Sequence, residues 1–369
     1  MKFSYQWHGR LGWVLAPLLA IQALGGAILL WMQPLPAPQE SPPAVQAWSG
    51  AVDQGLAALA QRYPAAKVEY VNLPIQADAP VSVRLLASPS NESGWADIDV
   101  ASGTAGALKP DNSQARTFLY GLHEHLLLAD VGPWVQRAMA LTALVLIGMG
   151  LRVWWRVRHL PPRTPWRRVH RLIGPVFVLP LAMMLMTGFM LRSPEWTSAA
   201  FSAWAGQAAA APKPAAAKPA APAGSAAHPA TLGQALITAA AALPQSRPMR
   251  IYPAKDGVVR VRMRGDEWHP LGLDNVFVNT ADASVKRVVR AADQPLSVRY
   301  LNVVYPLHIG SLPGKPGVVA ALVWRGLWTL LALSLAGLAL TGAVQRFQAK
   351  SKSTTTSRRQ VQCNPSQSQ

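Results

Sequence analysis

The sequence predicts an α-helical membrane protein. It reads as a four-span bundle with a parallel internal repeat, carrying two small α+β domains outside the bilayer. Three observations lead there. Four apolar segments are long enough to cross a membrane, the charges divide sharply between the loops joining them, and one order of features occurs twice.

Half of the 369 residues are hydrophobic and only 14% are charged, against about 25% charged in soluble domains. The apolar segments are Leu11–Met32, Trp134–Leu151, Leu172–Leu191 and Val318–Val344. About 20 such residues at 1.5 Å rise each span a hydrocarbon core. The first and third contain no charge, and the second and fourth contain one each, Arg137 and Arg325. Trp13, Trp31, Trp134, Trp154, Trp155 and Trp324 stand near the ends, as in interfacial aromatic belts.

A formal charge of +18 suggests nucleic acid until the charges are placed. With four spans, segments 1–10, 152–171 and 345–369 share one side; they are rich in Lys and Arg and contain no acid. All 17 Asp and Glu lie in the two remaining loops. The positive-inside rule then puts both termini in the cytoplasm and the loops outside, and basicity becomes a topology signal with no nucleic-acid partner implied. The first span is longer than a signal-peptide core and follows His8, so it is expected to be retained.

The first outside segment reads as a helix over 48–62 ending at Tyr63-Pro64, then strands Lys67–Leu73, Val81–Leu86 and Ala96–Val100. The second repeats this order, with helix Thr231–Leu243 and strands Met249–Pro253, Val258–Arg264 and Asn275–Asn279. Each α-β-β-β unit is near the lower size at which a domain folds alone. The Ala/Pro-rich stretch 206–229 reads as a solvated, semi-rigid linker. The chain thus divides into 1–32 (inner histidine and first span), 33–118 (first outside domain), 119–155 (outer histidine and second span) and 156–168 (basic loop). It continues as 169–192 (inner histidine and third span), 193–305 (second outside domain), 306–345 (outer histidine and fourth span) and 346–369 (basic tail, expected to be disordered).

One cysteine, Cys363 in the tail, excludes a disulfide framework, a Cys-rich zinc site and a thiolate-held iron–sulfur cluster; without CxxCH, haem cannot be attached covalently. No HExxH, GxSxG, P-loop or Rossmann glycine pattern is present. The histidines are more informative. His8 and His170 precede the first and third spans within His-Gly-Arg-Leu-Gly and His-Arg-Leu-Ile-Gly, while His123 and His308 precede the second and fourth, each after Leu. The spacings His8 to His123 and His170 to His308 differ by about the length of the Ala/Pro linker. Both units enter from the same side, as in a parallel repeat. Packed together, they bring two histidines to each membrane face, and two neutral imidazoles can fill both axial positions of a haem. Taken singly, an interfacial histidine is a surface or capping residue. His125 is a spare candidate that points away from His123 on a helix, and His159, His228 and His269 lie in loops. Arg137 and Arg325 either contact haem propionates or snorkel to the headgroups. Arg260, Arg262 and Arg264 share one strand face, either an anion-attracting surface or a charged edge.

These motifs resemble the PepSY-associated transmembrane family, iron-regulated membrane proteins that include ferric-siderophore reductases. The resemblance rests on His8 with Leu11-Gly12 and on Leu122-His123-Glu124-His125-Leu126-Leu127-Leu128 with Gly132. It continues in His170-Arg171 with Gly174 and Thr187-Gly188, and in Leu307-His308-Ile309-Gly310 with Gly317 and Thr341-Gly342, so that it covers residues 1 to about 347. The first span departs from it, with Gly25-Gly26 where the third has Thr187-Gly188. The resemblance implies that the outside segments are PepSY-like domains in the periplasm of a Gram-negative bacterium, attached to its inner membrane. It implies two haems b, with His8 and His170 as the inner axial pair and His123 and His308 as the outer, His123 being favoured over His125. Arg137 and Arg325 would be accessory contacts. The implied activity is reduction of a ferric siderophore or other Fe(III) chelate with electrons from an unidentified cytoplasmic donor, through haem and with no catalytic side chain. Two other readings are a PepSY-domain anchor or binding protein without redox activity, and a haem carrier serving a periplasmic protein acceptor.

Overall fold

The computed structural model describes residues 2–33, 35, 43–76, 78–87, 93–110, 114–206, 230–314 and 317–362. In chain order the first half contains α1 (Lys2–Trp31), α2 (Val45–Arg62), β1 (Ala66–Asn72), β2 (Val81–Ala87), β3 (Ser93–Ile98), β4 (Lys109–Pro110), α3 (Gln114–His125) and α4 (Gly132–Val157). The second contains α5 (Pro165–Arg192), α6 (Pro194–Trp204), α7 (Leu232–Ala242), β5 (Arg247–Lys255), β6 (Val258–Arg264), β7 (Asp274–Asn279), β8 (Val285–Val289), α8 (Leu296–His308) and α9 (Val318–Gln362). These elements form two compact units. One comprises Met1–Pro34, Arg116–Pro194 and Val323–Gln369, and the other Leu35–Ala115 and Glu195–Leu322.

The first unit is the helical bundle. Its candidate spans are Ser4–Trp31, Ala129–Val157, Pro165–Arg192 and Val318–Gln348, so all four expected spans are helices long and apolar enough to cross a membrane. Pro165 opens α5 at its first turn, where no N–H bond is lost, and Thr164 caps it by accepting from the Arg167 amide. Ala16, Leu19, Ala20 and Ala23 of α1 pack with Met139 and Ala143 of α4 and Ala336 and Ala339 of α9. Alanines at these positions let the helix backbones approach, the usual basis of association where lipid removes the hydrophobic drive. Large apolar side chains such as Val14, Val145, Leu179 and Leu333 stay exposed on the outside of the helices, as a lipid-facing surface requires. The last helix runs on through Gln362, where loss of regular structure was expected from Lys350. No Gly or Pro interrupts 350–362, so an existing helix propagates.

The second unit is one domain, where two were expected. Its strands form a single antiparallel sheet in the order β4-β3-β2-β1-β5-β6-β7-β8. The join is at β1 and β5, which pair through Val71↔Ile251 and Asn72↔Arg250. Separately, each half would leave a hydrophobic strand edge unpaired and a core too small to stand alone. Joined, they share one core. Trp48, Val52 and Leu59 of α2 and Leu236 and Ala239 of α7 cover Val71, Val83, Ile98, Ile251, Val261 and Val278. The predicted strand Val258–Arg264 matches β6 residue for residue, whereas β4, β8 and the short helices α3, α6 and α8 were not foreseen. Most of the Ala/Pro stretch, His228 and Cys363 lie outside the described residues.

Asp53 of α2 fastens the two halves. One carboxylate oxygen accepts from the Gly233 amide at 2.8 Å and the other from the Thr231 hydroxyl at 2.7 Å, at the start of α7. Thr231 in turn caps α7 by accepting from the Gln234 amide at 3.1 Å. Asp53→Ala is expected to destabilise the sheet unit by about 1–2 kcal/mol, the scale of a lost helix cap, read as a lower unfolding temperature with spans still helical by circular dichroism.

Candidate functional site

His8 stands in the second turn of α1 with Nδ1 3.2 Å from the Leu146 carbonyl of α4. Gly150, one turn beyond Leu146, leaves space for the ring, since a Cβ there would lie 3.0 Å from His8 Cε1. His170 of α5 places Nδ1 3.0 Å from Thr341 Oγ1 of α9. That hydroxyl already donates to the Gly337 carbonyl at 2.6 Å, so it accepts from His170. A carbonyl oxygen can only accept, so His8 also donates through Nδ1. Both neutral rings therefore carry their proton on Nδ1 and keep the Nε2 lone pair, the arrangement that a partner on the second nitrogen gives metal-binding histidines. The two ring centroids are 6.1 Å apart at an interplanar angle of 76°. Two imidazole nitrogens, each about 2 Å from one metal as in histidine–zinc bonds, put ring centroids about 6 Å apart.

Among the described residues no group of three or more His, Cys, Asp or Glu could hold a metal ion. Haem iron needs only two nitrogens from the protein, and two imidazoles with free Nε2 lone pairs are donors of that kind.

His123 lies nearer the other end of α1. It sits near the end of α3 with its buried ring against Gly25 and Gly26, about 25 Å along the helix from His8 at 1.5 Å per residue. Its Nδ1 donates to the Gln22 carbonyl at 3.0 Å, and a Cβ at Gly26 would come within 2.8 Å of Cε1. Gly26, with no Cβ, thus makes room for the ring. Burial holds this imidazole below its ordinary pKa. Three consecutive carbonyls at the end of α3 receive donors from three spans. Gln22 reaches Leu122 O at 3.1 Å, Gln136 reaches His123 O, and an Arg192 guanidinium nitrogen reaches Glu124 O at 3.2 Å. Arg192 also pairs with the Glu124 carboxylate at 3.6 Å. Sequence reasoning missed Gln22, Gln136 and Arg192, and it noted Thr341 only as a motif position with no role; the signal was a polar side chain inside or closing an apolar run.

His125 is separated from His123. It ends α3, with its Nδ1 buried and without a hydrogen-bond partner among the described residues, next to a turn in which Leu126 and Leu127 adopt positive φ. His308 ends α8, in the sheet unit. That helix end is held three residues before and after His308. The His269 ring stacks on Tyr305 with centroids 5.0 Å apart, and Trp268 Nε1 donates to the Ser311 carbonyl at 2.8 Å. Burial, reinforced by the charge of Arg262, lowers the His269 pKa to about 4.

The two intramembrane arginines meet backbone carbonyls. Arg137 Nε donates to Arg192 O at 2.7 Å, with the guanidinium 4.6 Å from the Trp134 ring centroid. Buried Arg325 donates to Gln33 O at 3.0 Å. Each places a cation at the C-terminal end of another span, where the helix dipole favours it.

Residues 5–347 match the family described as PepSY-associated TM region, and the chain belongs to that family. No match is found among curated proteins.

Gln136→Leu removes the donor to the His123 carbonyl and is expected to cost about 1–3 kcal/mol, visible as a lower unfolding temperature in detergent. His269 gives a pH effect of defined sign. An unfolded histidine titrates near 6.5 and the folded one near 4, so stability is full above about 6.5 and falls as pH drops toward 4. His269→Phe should flatten that part of the stability–pH profile.

Proposed function

We propose that this membrane protein binds two haems b and carries electrons from a cytoplasmic donor to a ferric siderophore or similar Fe(III) chelate outside the bacterial inner membrane. The observation that carries the reading is the His8–His170 pair, two Nδ1-protonated rings with centroids 6.1 Å apart and, among the described residues, no third His, Cys, Asp or Glu grouped with them. His8 and His170 would hold one haem through Nε2. The Leu146 carbonyl and the Thr341 hydroxyl fix tautomer and ring orientation, and Gly150 admits the His8 ring. The sequence repeat extends the reading to His123 and His308 as the second pair. Haem held by these histidines would supply a one-electron couple, which suits electron transfer over oxygen chemistry. The chelate accepts one electron per iron, and Fe(II) binds hard oxygen ligands more weakly than Fe(III), so iron is released.

A reduced-minus-oxidised visible spectrum of protein purified from haem-sufficient cells tests this. A b-type α-band is expected, and His8→Ala and His170→Ala should each remove the same haem while leaving the other. A colourless protein would defeat the reading and favour the anchoring role. If the haem forms but anaerobically reduced protein is not reoxidised by a ferric chelate, the acceptor is a protein.

A further inference from the structure

The composite sheet has one face under α2 and α7 and a second face of different chemistry. Across five neighbouring strands, β3-β2-β1-β5-β6, that second face alternates aromatic rings with guanidiniums. The Arg84 Cζ lies 5.1 Å from the Trp95 ring centroid, the Arg250 Cζ 4.0 Å from that of Tyr70, and the Arg260 Cζ 3.7 Å from that of Tyr252. Tyr70 joins both sides, with its ring 5.8 Å from Trp95 and 6.2 Å from Tyr252. The row crosses the β1–β5 join and spans about 19 Å at the usual strand spacing. All six side chains are partly exposed.

Positive charge is in excess along this row. Glu69 sits 3.5 Å from Arg84, and Asp97, at the β3 end, is paired with Lys109 at 2.7 Å. Arg250 donates Nε to Asn72 at 2.7 Å, which fixes its plane over Tyr70. The field is felt by Tyr252. Burial opposes ionisation there, yet hydrogen bonds from Arg250 and Arg262 and the charges of Arg250 and Arg260 hold the phenol below its ordinary pKa. At the Trp95 end the face opens into a cavity of about 300 Å³ lined by Asn72, Ser82, Trp95 and Asp97, the lower end of the range for small-molecule pockets.

Rings stacked beside fixed guanidiniums favour a ligand that offers both aromatic faces and negative charge. A hydroxamate complex offers neither aromatic faces nor negative charge, whereas a catecholate complex offers both. We infer that this face of the sheet, from Trp95 to Arg260, is a binding surface for anionic, aromatic iron chelates of the catecholate class. The inference deepens the proposed reductase function and rests on it for the iron, while the binding itself is separable.

The test uses gallium(III) tris-catecholate, which has the shape and charge of the ferric complex but is not reduced. It is titrated by calorimetry onto the full-length protein in neutral detergent. Binding is expected, weakened by about ten-fold or more in Arg250→Gln and in Arg260→Gln, the scale of a lost charge-assisted hydrogen bond. Arg260→Lys keeps the charge but loses the planar stack, and should fall between. A cationic gallium trihydroxamate should bind weakly and be indifferent to these changes. Unaltered unfolding temperatures identify the losses as local. Equal catecholate affinity in wild type and both Gln variants, or no binding at all, overturns the site whatever the haem spectrum shows. Intact, arginine-dependent binding in a protein without haem supports the site and defeats the reductase reading alone.

Discussion

A helix that ends at or near a bilayer leaves carbonyls without water to receive, and this protein is organised around supplying them. The end of α3 is served by Gln22, Gln136 and Arg192, one from each of three spans. The end of α5 is served by Arg137, and Gln33, two residues past α1, by Arg325. An unmet carbonyl in such surroundings costs several kcal/mol. These bonds therefore dictate where α3 lies against α1, and with it the position of the His123 ring. Polar side chains that look out of place in apolar segments are what make the irregular joints between spans tolerable.

The same requirement explains how much could be read from the sequence. Span number and position follow from length and hydropathy, and six strands and two helices of the outer segments follow from alternation and turn residues. All four proposed ligand histidines stood out because they recur at matched places. What could not be read was pairing at a distance. Nothing local in Val71 or Ile251 says that β1 and β5 meet, because an unpaired strand edge looks the same in either half. Likewise Gln22 is one polar residue among many apolar ones until the end of α3 is placed beside it. Arg137 and Arg325 were singled out for the cost of their charge, which is sound, but their partners are backbone groups that have no signature in the side-chain sequence.

Joining two α-β-β-β halves into one sheet has consequences beyond stability. It gives a single core in which α2 and α7 fasten each other through Asp53 and Thr231. It also creates a continuous second face wider than either half could offer. Alternation within each strand sends the valines inward, and the arginines and aromatic residues are left to line that face together. A surface of this kind belongs to the pair and not to either repeat.

The hydrogen bonds behind the three anchored imidazoles differ in one respect that bears on how the protein can change. His8 and His123 lean on main-chain oxygens, at Leu146 and Gln22, which survive any substitution at those positions. His170 leans on the hydroxyl of Thr341. A single codon change there to Ser would keep the contact, and one to Ala or Val would abolish it, without disturbing the helix. One end of the bundle therefore carries a heritable adjustment screw for the electron richness of a single ring, while the other two rings are locked by the backbone itself.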